Sequence, residues 1–174
     1  MLVLALLLAA PLRPGDAALS VRVETAYVQP DGDSSARGGG AGVSLGYRLT
    51  DQLSAVAGAS RSLLWVLPAA GGPRQSQPLT MASAGVEALL DATPIAPFLE
   101  FCVVRLLPES AAGYSLATRT SVGADWRISA PFAVGLAVRT LTPLDGSGVS
   151  ALGGLEIALR FTWLPGWTAN PVKA

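Results

Sequence analysis

The chain has 174 residues, 51% of them apolar and only 14% charged, against roughly 25% charged in ordinary soluble domains, so groups that keep a water-exposed surface wet are scarce. Formal net charge is zero, which removes the bulk electrostatic case for nucleic acid as a partner. Histidine is absent and Cys102 is the one cysteine, which excludes Ser-His and Cys-His nucleophilic pairs and any intrachain disulfide.

The opening, "MLVLALLLAAPLRPGDAALS", carries an apolar stretch from Leu2 to Ala10, about half the length of a bilayer-spanning helix. Gly15-Asp16-Ala17 is a small-x-small site, so residues 1–17 read as a secretory signal peptide, with Ala18 as the other possible end. No Lys or Arg precedes the apolar stretch, and the competing reading is an N-terminal anchor or core strand.

Beyond Ala18 the recurring period is two, the mark of strands with one apolar face. At 21–28, Val21, Val23, Thr25 and Tyr27 alternate with Arg22, Glu24, Ala26 and Val28. At 41–50, Ala41, Val43, Leu45, Tyr47 and Leu49 oppose Gly42, Ser44, Gly46, Arg48 and Thr50. The stretch 53–66 is strand-like but rich in Ala and Ser, so its facing stays open. At 79–90, Val86 and its apolar companions oppose Met81, Ser83, Gly85 and Glu87, and at 96–106 Leu99, Phe101 and Val103 oppose Phe98, Glu100, Cys102 and Val104. The alternation is cleanest in the last three candidates. There Leu116, Val122, Trp126 and Ile128 oppose Arg119, Asp125 and Arg127, then Phe132, Leu136 and Val138 oppose Arg139, and finally Leu155, Ile157, Leu159, Phe161 and Trp163 oppose Glu156 and Arg160. Glu156 and Arg160, four apart, would pair on a helix but here share the polar face of a strand.

Eight strand candidates of about 9–11 residues or slightly more result, long enough to cross a bilayer when tilted. The connections alternate in length. "TDQ" (50–52), "DATPIA" (91–96) and "SAP" (129–131) are short, whereas 29–39, 67–78, 106–113 and 142–148 are longer and rich in Gly, Pro and Ser. That rhythm suits a meander with short periplasmic turns and long external loops. With the first strand running outward, Tyr27, Trp65 and Tyr114 fall near outer strand ends. Tyr47, Phe98, Phe101, Trp126, Phe132, Phe161 and Trp163 fall near inner ends. Two aromatic girdles around an apolar belt are the interfacial pattern of membrane barrels.

The polar faces collect Arg22, Glu24, Arg48, Glu87, Glu100, Arg119, Asp125, Arg127, Arg139, Glu156 and Arg160, nearly neutral in sum. Lipid does not tolerate them, and an eight-stranded barrel is just wide enough for side chains to fill. The expectation is an all-β, eight-stranded, antiparallel up-and-down transmembrane β-barrel over 18–163. Its lumen is an ion-pair network, and 164–174 form a short tail. Glu156 is expected to pair with an arginine and Arg160 with an acid, their candidate partners being Arg22, Glu24 and Arg139 on the flanking strands.

Other motifs carry little. "RGGGAG" (37–42) lacks the Lys and Ser/Thr of a phosphate loop and reads as a flexible loop. "DGDSS" (31–35) opens like a calcium loop without its closing Glu. Glu87 and Glu100 read as ion-pairing rather than paired catalytic carboxylates, and Cys102 reads as a small apolar filler. No cofactor or metal is expected, and no enzymatic activity.

At this point the chain resembles the small eight-stranded bacterial outer-membrane barrels of the outer-membrane protein A and X type. The resemblance spans roughly 19–163 and is carried by "GVSLGYRLTDQLSAVAGAS", "TSVGADWRISAPFAVGLAVR" and "GGLEIALRF". It implies residence in the outer membrane of a Gram-negative bacterium. It also implies contact with outer-membrane lipid and the barrel-assembly machinery, and an external partner for the loops. The closing strand is followed by "TWLPGWTANPVKA", so the assembly signal read at Leu155, Ile157, Leu159 and Phe161 is internal. The alternatives are a narrow channel for small solutes, and a secreted, soluble, lipocalin-like barrel with the apolar face turned inward.

Overall fold

The computed structural model describes residues 19–30, 37–66, 72–90, 94–108, 115–129, 131–144 and 154–165. The signal segment 1–17, "DGDSS" and Tyr114 lie outside them, as do 166–174 of the tail. The described residues form eight strands in chain order: β1 (Leu19–Pro30), β2 (Arg37–Arg48), β3 (Leu53–Val66), β4 (Gln75–Leu89), β5 (Ile95–Pro108), β6 (Ser115–Ser129), β7 (Phe132–Pro143) and β8 (Gly154–Trp163). Each pairs antiparallel with the next and β8 closes on β1, an all-β up-and-down barrel.

Closure fixes the tilt. The row of paired residues that starts at Leu19 runs through Tyr47, Ala55, Val86, Phe101, Thr120, Thr140 and Leu155 and returns to β1 at Gln29. A return ten residues further along, with eight strands, corresponds to a strand tilt of about 40°. It also means that each row climbs toward the long connections as it passes round the wall. One register shift, between Arg127 and Ser129 opposite β7, marks the short-turn end of β6.

Parts of all four long connections expected as loop are strand: Gln29 and Pro30 close β1, Arg37 to Gly39 open β2, Gln75 to Pro78 open β4, Leu106 to Pro108 close β5, and Thr142 and Pro143 close β7. The β2 glycines serve close approach rather than flexibility: a Cβ at Gly40 would run into the Ser62 hydroxyl and the Arg61 carbonyl of β3. The open facing of β3 is resolved as well. Val56, Ser62 and Leu64 are buried inside, while Leu53, Arg61, Leu63 and Trp65 are exposed outside.

The wall is turned inside out relative to a soluble protein. Val43, Leu136 and Leu159 stand 58%, 56% and 56% exposed on the outer face, with Val122, Leu99 and Ile157 exposed beside them. Burial of charge is equally one-sided, since Arg22, Glu24, Glu87, Glu100, Arg119, Asp125, Arg139 and Arg160 are all buried inside. A lipocalin-like barrel would have the opposite facing. Apolar exposure on this scale has no favourable free energy in water and needs an apolar surrounding.

Candidate functional site

The interior is the candidate site, and its inward positions follow from strand alternation. Toward the short turns it is polar. The Arg160 guanidinium donates from Nε and Nη2 to Asp125 on β6, at 3.1 and 2.5 Å, and from Nη1 to Glu87 Oε2 on β4 at 2.9 Å. The second Glu87 oxygen accepts from Arg22 Nη2 on β1 at 2.5 Å. Arg160 and Glu87 have 0% and 1% of their side chains exposed, so the centre of this chain of charges is shut off from solvent. The two-point Arg160–Asp125 contact is the geometry that fits a guanidinium to a carboxylate.

Two smaller groups lie further toward the long connections. Arg139 donates to Glu24 at 2.6 Å and to Glu156 at 2.9 Å, so Glu156 is bonded to β7. Arg119 and the Ser121 hydroxyl both donate to Glu100 Oε1, at 3.1 and 2.9 Å. Glu87 and Glu100 are directly cross-strand neighbours. Their oxygens accept from different arginines, so neither carboxylate is left poised as a shared acid-base pair. Arg160 takes its acids from β6 and β4, across the lumen, rather than from β1. Glu24, its cross-strand neighbour on β1, bonds Arg139 instead.

Arg48 and Arg127 also point inward and line a small cavity of about 40 Å³ at the short-turn end, together with Ser20, Arg22, Asp125 and Leu164. A space of that size beside charged side chains is large enough to admit water. Leu164, the first tail residue, is fixed there by donating its N–H to the Pro131 carbonyl.

Sequence reasoning placed Phe98 in the inner aromatic girdle, and this is corrected. Phe98 is 3% exposed and lies inside the barrel, because it shares the face of Glu100. The Arg160 guanidinium sits 3.7 Å from its ring centroid, a cation–π contact without water to weaken it. The opposing residue on β6 is Gly123, where a Cβ would come within 2.6 Å of the ring. Phe101 faces outward but lies midway along β5, not at an inner end. Of the others, Tyr27 and Trp65 lie outward on the long-connection half, while Tyr47, Trp126, Phe132, Phe161 and Trp163 lie outward on the short-turn half. Phe132 and Phe161 pack at a centroid distance of 5.4 Å.

The lumen was expected to be filled by ion pairs with Gly, Ala and Ser, and toward the long connections it also holds aliphatic side chains. Leu64, Leu79, Met81, Cys102, Val104, Leu106 and Ala117 form a buried cluster there, with Val28 and Leu141 against it. The signal lay in doubled apolar runs such as "SLLWV" and "CVVRLL", where inward and outward positions are both aliphatic. Cys102 is 1% exposed at the foot of this cluster, with the Arg119 guanidinium 4.0 Å from its sulfur.

No family model and no curated protein matches the sequence. Solved structures do match in fold. Neisserial surface protein A superposes with a TM-score of 0.66 at 16% identity, covering 84% of this chain and 97% of that one. OprG of Pseudomonas aeruginosa, an outer-membrane protein, gives 0.55 at 12%, covering 86% and 95%. The N-terminal β-barrel domain of Pseudomonas aeruginosa OprF gives 0.53 at 14%, covering 86% and 98%. The shared feature is the closed eight-stranded antiparallel barrel.

Proposed function

We propose that this chain, which has the fold of the small eight-stranded outer-membrane β-barrels, resides in the outer membrane of a Gram-negative bacterium as a structural or surface-interacting barrel. Its interior is closed by its own side chains and it has no catalytic activity. The observation that carries this reading is the opposition of its two faces. An outer wall of exposed Val, Leu and Ile surrounds an Arg160 that is wholly buried between Glu87 and Asp125. Water on the outside and a ligand within would demand the reverse.

Residues 1–17 act as the export signal, the barrel begins at 18, and 164–174 remain as a short tail. Outer-membrane lipid is the surrounding partner. The barrel-assembly machinery reads the outward Leu155, Ile157, Leu159 and Phe161 of β8, and the long connections present themselves to an external partner. The eleven inward charges serve to fill and hold the lumen, and the aromatic residues at the two rims anchor it at the interfaces.

Cell-envelope fractionation with gel mobility before and after boiling tests the reading. The expected result is recovery in the outer-membrane fraction, with a band that shifts on heating. Recovery in the periplasm or medium without detergent would refute it.

A further inference from the structure

One arginine of the charged half is only partly bonded. Arg160 donates from all three of its side-chain nitrogens, whereas Arg22 donates from Nη2 alone, to Glu87. Its Nε and Nη1 are buried without a hydrogen-bond partner, and so are the Ser44 and Thr162 hydroxyls. These are four of the six side-chain atoms in that condition among the described residues. Register brings them together. Arg22 on β1 lies opposite Ser44 on β2 and opposite Thr162 on β8. The row Ser44, Arg22, Thr162 therefore crosses the seam where the barrel closes, with backbones about 5 Å apart at each step.

Every member of this row can donate a hydrogen bond, and a buried donor left unmade carries its full desolvation penalty. What the row lacks is an acceptor. The carboxylates beside it are already engaged: Glu87 accepts from Arg22 and Arg160 through separate oxygens, and both oxygens of Asp125 accept from Arg160.

The row borders the cavity at the short-turn end, where Arg22, Thr162, Ser20 and Gly46 line the wall together with Arg48 and Arg127. Gly46 gives the guanidinium its place, since a Cβ there would stand 3.3 Å from Arg22 Nη2. Charge at this end is unbalanced. Among the described residues, Arg22, Arg48, Arg127 and Arg160 stand against Glu87 and Asp125, and adding the exposed Asp51 of the neighbouring short turn still leaves an excess of bases. A volume of about 40 Å³ admits a guest of one to a few atoms and excludes a large one.

We propose that Arg22, Ser44 and Thr162, with the adjoining cavity, bind a small monovalent anion, a halide or a carboxylate of the size of formate. Such an ion accepts charge-assisted hydrogen bonds from the guanidinium and the hydroxyls together. Water supplies an acceptor but no counter-charge. By joining β1, β2 and β8 the ion fastens the closing seam. The site rests on the geometry of the lumen and not on the membrane location, and an ion at its mouth differs from the apolar ligand that a soluble barrel encloses.

The test follows the Arg22 side-chain N–H resonances of the full mature chain, isotope-labelled and folded in zwitterionic micelles. Sodium chloride replaces sodium gluconate, whose anion is too large for the cavity, at constant ionic strength. A parallel arm with sodium formate distinguishes an inorganic ion from a small carboxylate. Arg22→Lys removes the signals and so assigns them. The expected result is a saturable shift with chloride or formate. Thr162→Val and Ser44→Ala should each raise the half-saturating concentration about tenfold, the scale for losing one charge-assisted hydrogen bond, and Thr162→Ser should restore it. Because only the folded barrel holds the ion, the urea midpoint of wild type should rise with the same anion, and that of Thr162→Val should rise less. Heat-shifted gel mobility establishes that each variant is folded. Resonances that move with neither anion overturn the site and leave water as the acceptor of the row. A shift that grows without saturating, or that is unchanged in Thr162→Val and Ser44→Ala, overturns it as well.

Discussion

The same eight strands fill the two halves of one lumen with different chemistry. Near the short turns, Arg22, Glu87, Arg160 and Asp125 form a continuous chain of charge beside the Phe98 ring. Near the long connections, Leu64, Leu79, Met81, Val104 and Leu106 pack as an ordinary aliphatic core. The comparison separates two ways of closing a narrow barrel. Buried charge is directional, so each guanidinium must meet its carboxylate or incur a desolvation cost of several kcal/mol, and it therefore ties distant strands to one register. Aliphatic packing is non-directional and tolerates small shifts.

The sharpest break falls on the charged half. Arg160→Ala would leave Glu87 with Arg22 alone and Asp125 without its two-point partner, and is expected to cost about 3–5 kcal/mol in denaturant unfolding from vesicles. Replacing the set by neutral groups of similar size, as in Arg160→Met with Glu87→Gln and Asp125→Asn, should cost less. If the single change proves the milder one, the network is not holding buried charge.

Leu106→Ala tests the aliphatic half. Leu106 is fully buried, and its truncation is expected to cost about 3 kcal/mol through lost burial and a residual cavity. No hydrogen bond joins the Arg160 side chain to that of Leu106, so Arg160→Ala and Leu106→Ala should add within about 0.5 kcal/mol. Strong coupling between them would mean that the lumen is one unit rather than two.

The smallest effect is expected at the boundary. Glu156 keeps 14% of its side chain exposed, and its partner Arg139 is also bonded to Glu24. Glu156→Gln should therefore cost about 1 kcal/mol, the scale of one replaceable hydrogen bond. A loss equal to that of Arg160→Ala would move the boundary between the halves.

How much of this was legible in the sequence depends on what the alternation could encode. In β6, β7 and β8 the inward letters are charged or small and the outward letters large and apolar, so strand, facing and barrel can be read directly. In β3 the outward face carries three Ala and an Arg among its Leu and Trp, and the inward face mixes Ser and Gly with Val and Leu, so the hydrophobic contrast between the faces is slight. Gly38 and Gly40 resemble a loop because the reason for them, the approach of Ser62 and the β3 backbone, comes from the neighbouring strand. The aliphatic half was illegible for a related reason. An inward Leu106 and an outward Leu107 look alike as letters, and only the register tells lumen from lipid face. The partners of Arg160 were legible in kind but not in place, because pairing across a lumen is set by the curvature of the closed wall. Sequence adjacency favoured the neighbouring strands. Phe98 was misread because the tally by aromatic type overrode its own alternation with Glu100.

The claim that the lumen is closed twice, once by charge and once by aliphatic packing, is tested most directly by single-channel recording of the barrel in a planar bilayer. Wild type and Arg160→Ala are both expected to hold a closed baseline, because the aliphatic half still seals the second. Steady current is expected only when Leu64→Ser and Leu106→Ser are added to Arg160→Ala. A steady conductance through the wild-type barrel would contradict the account.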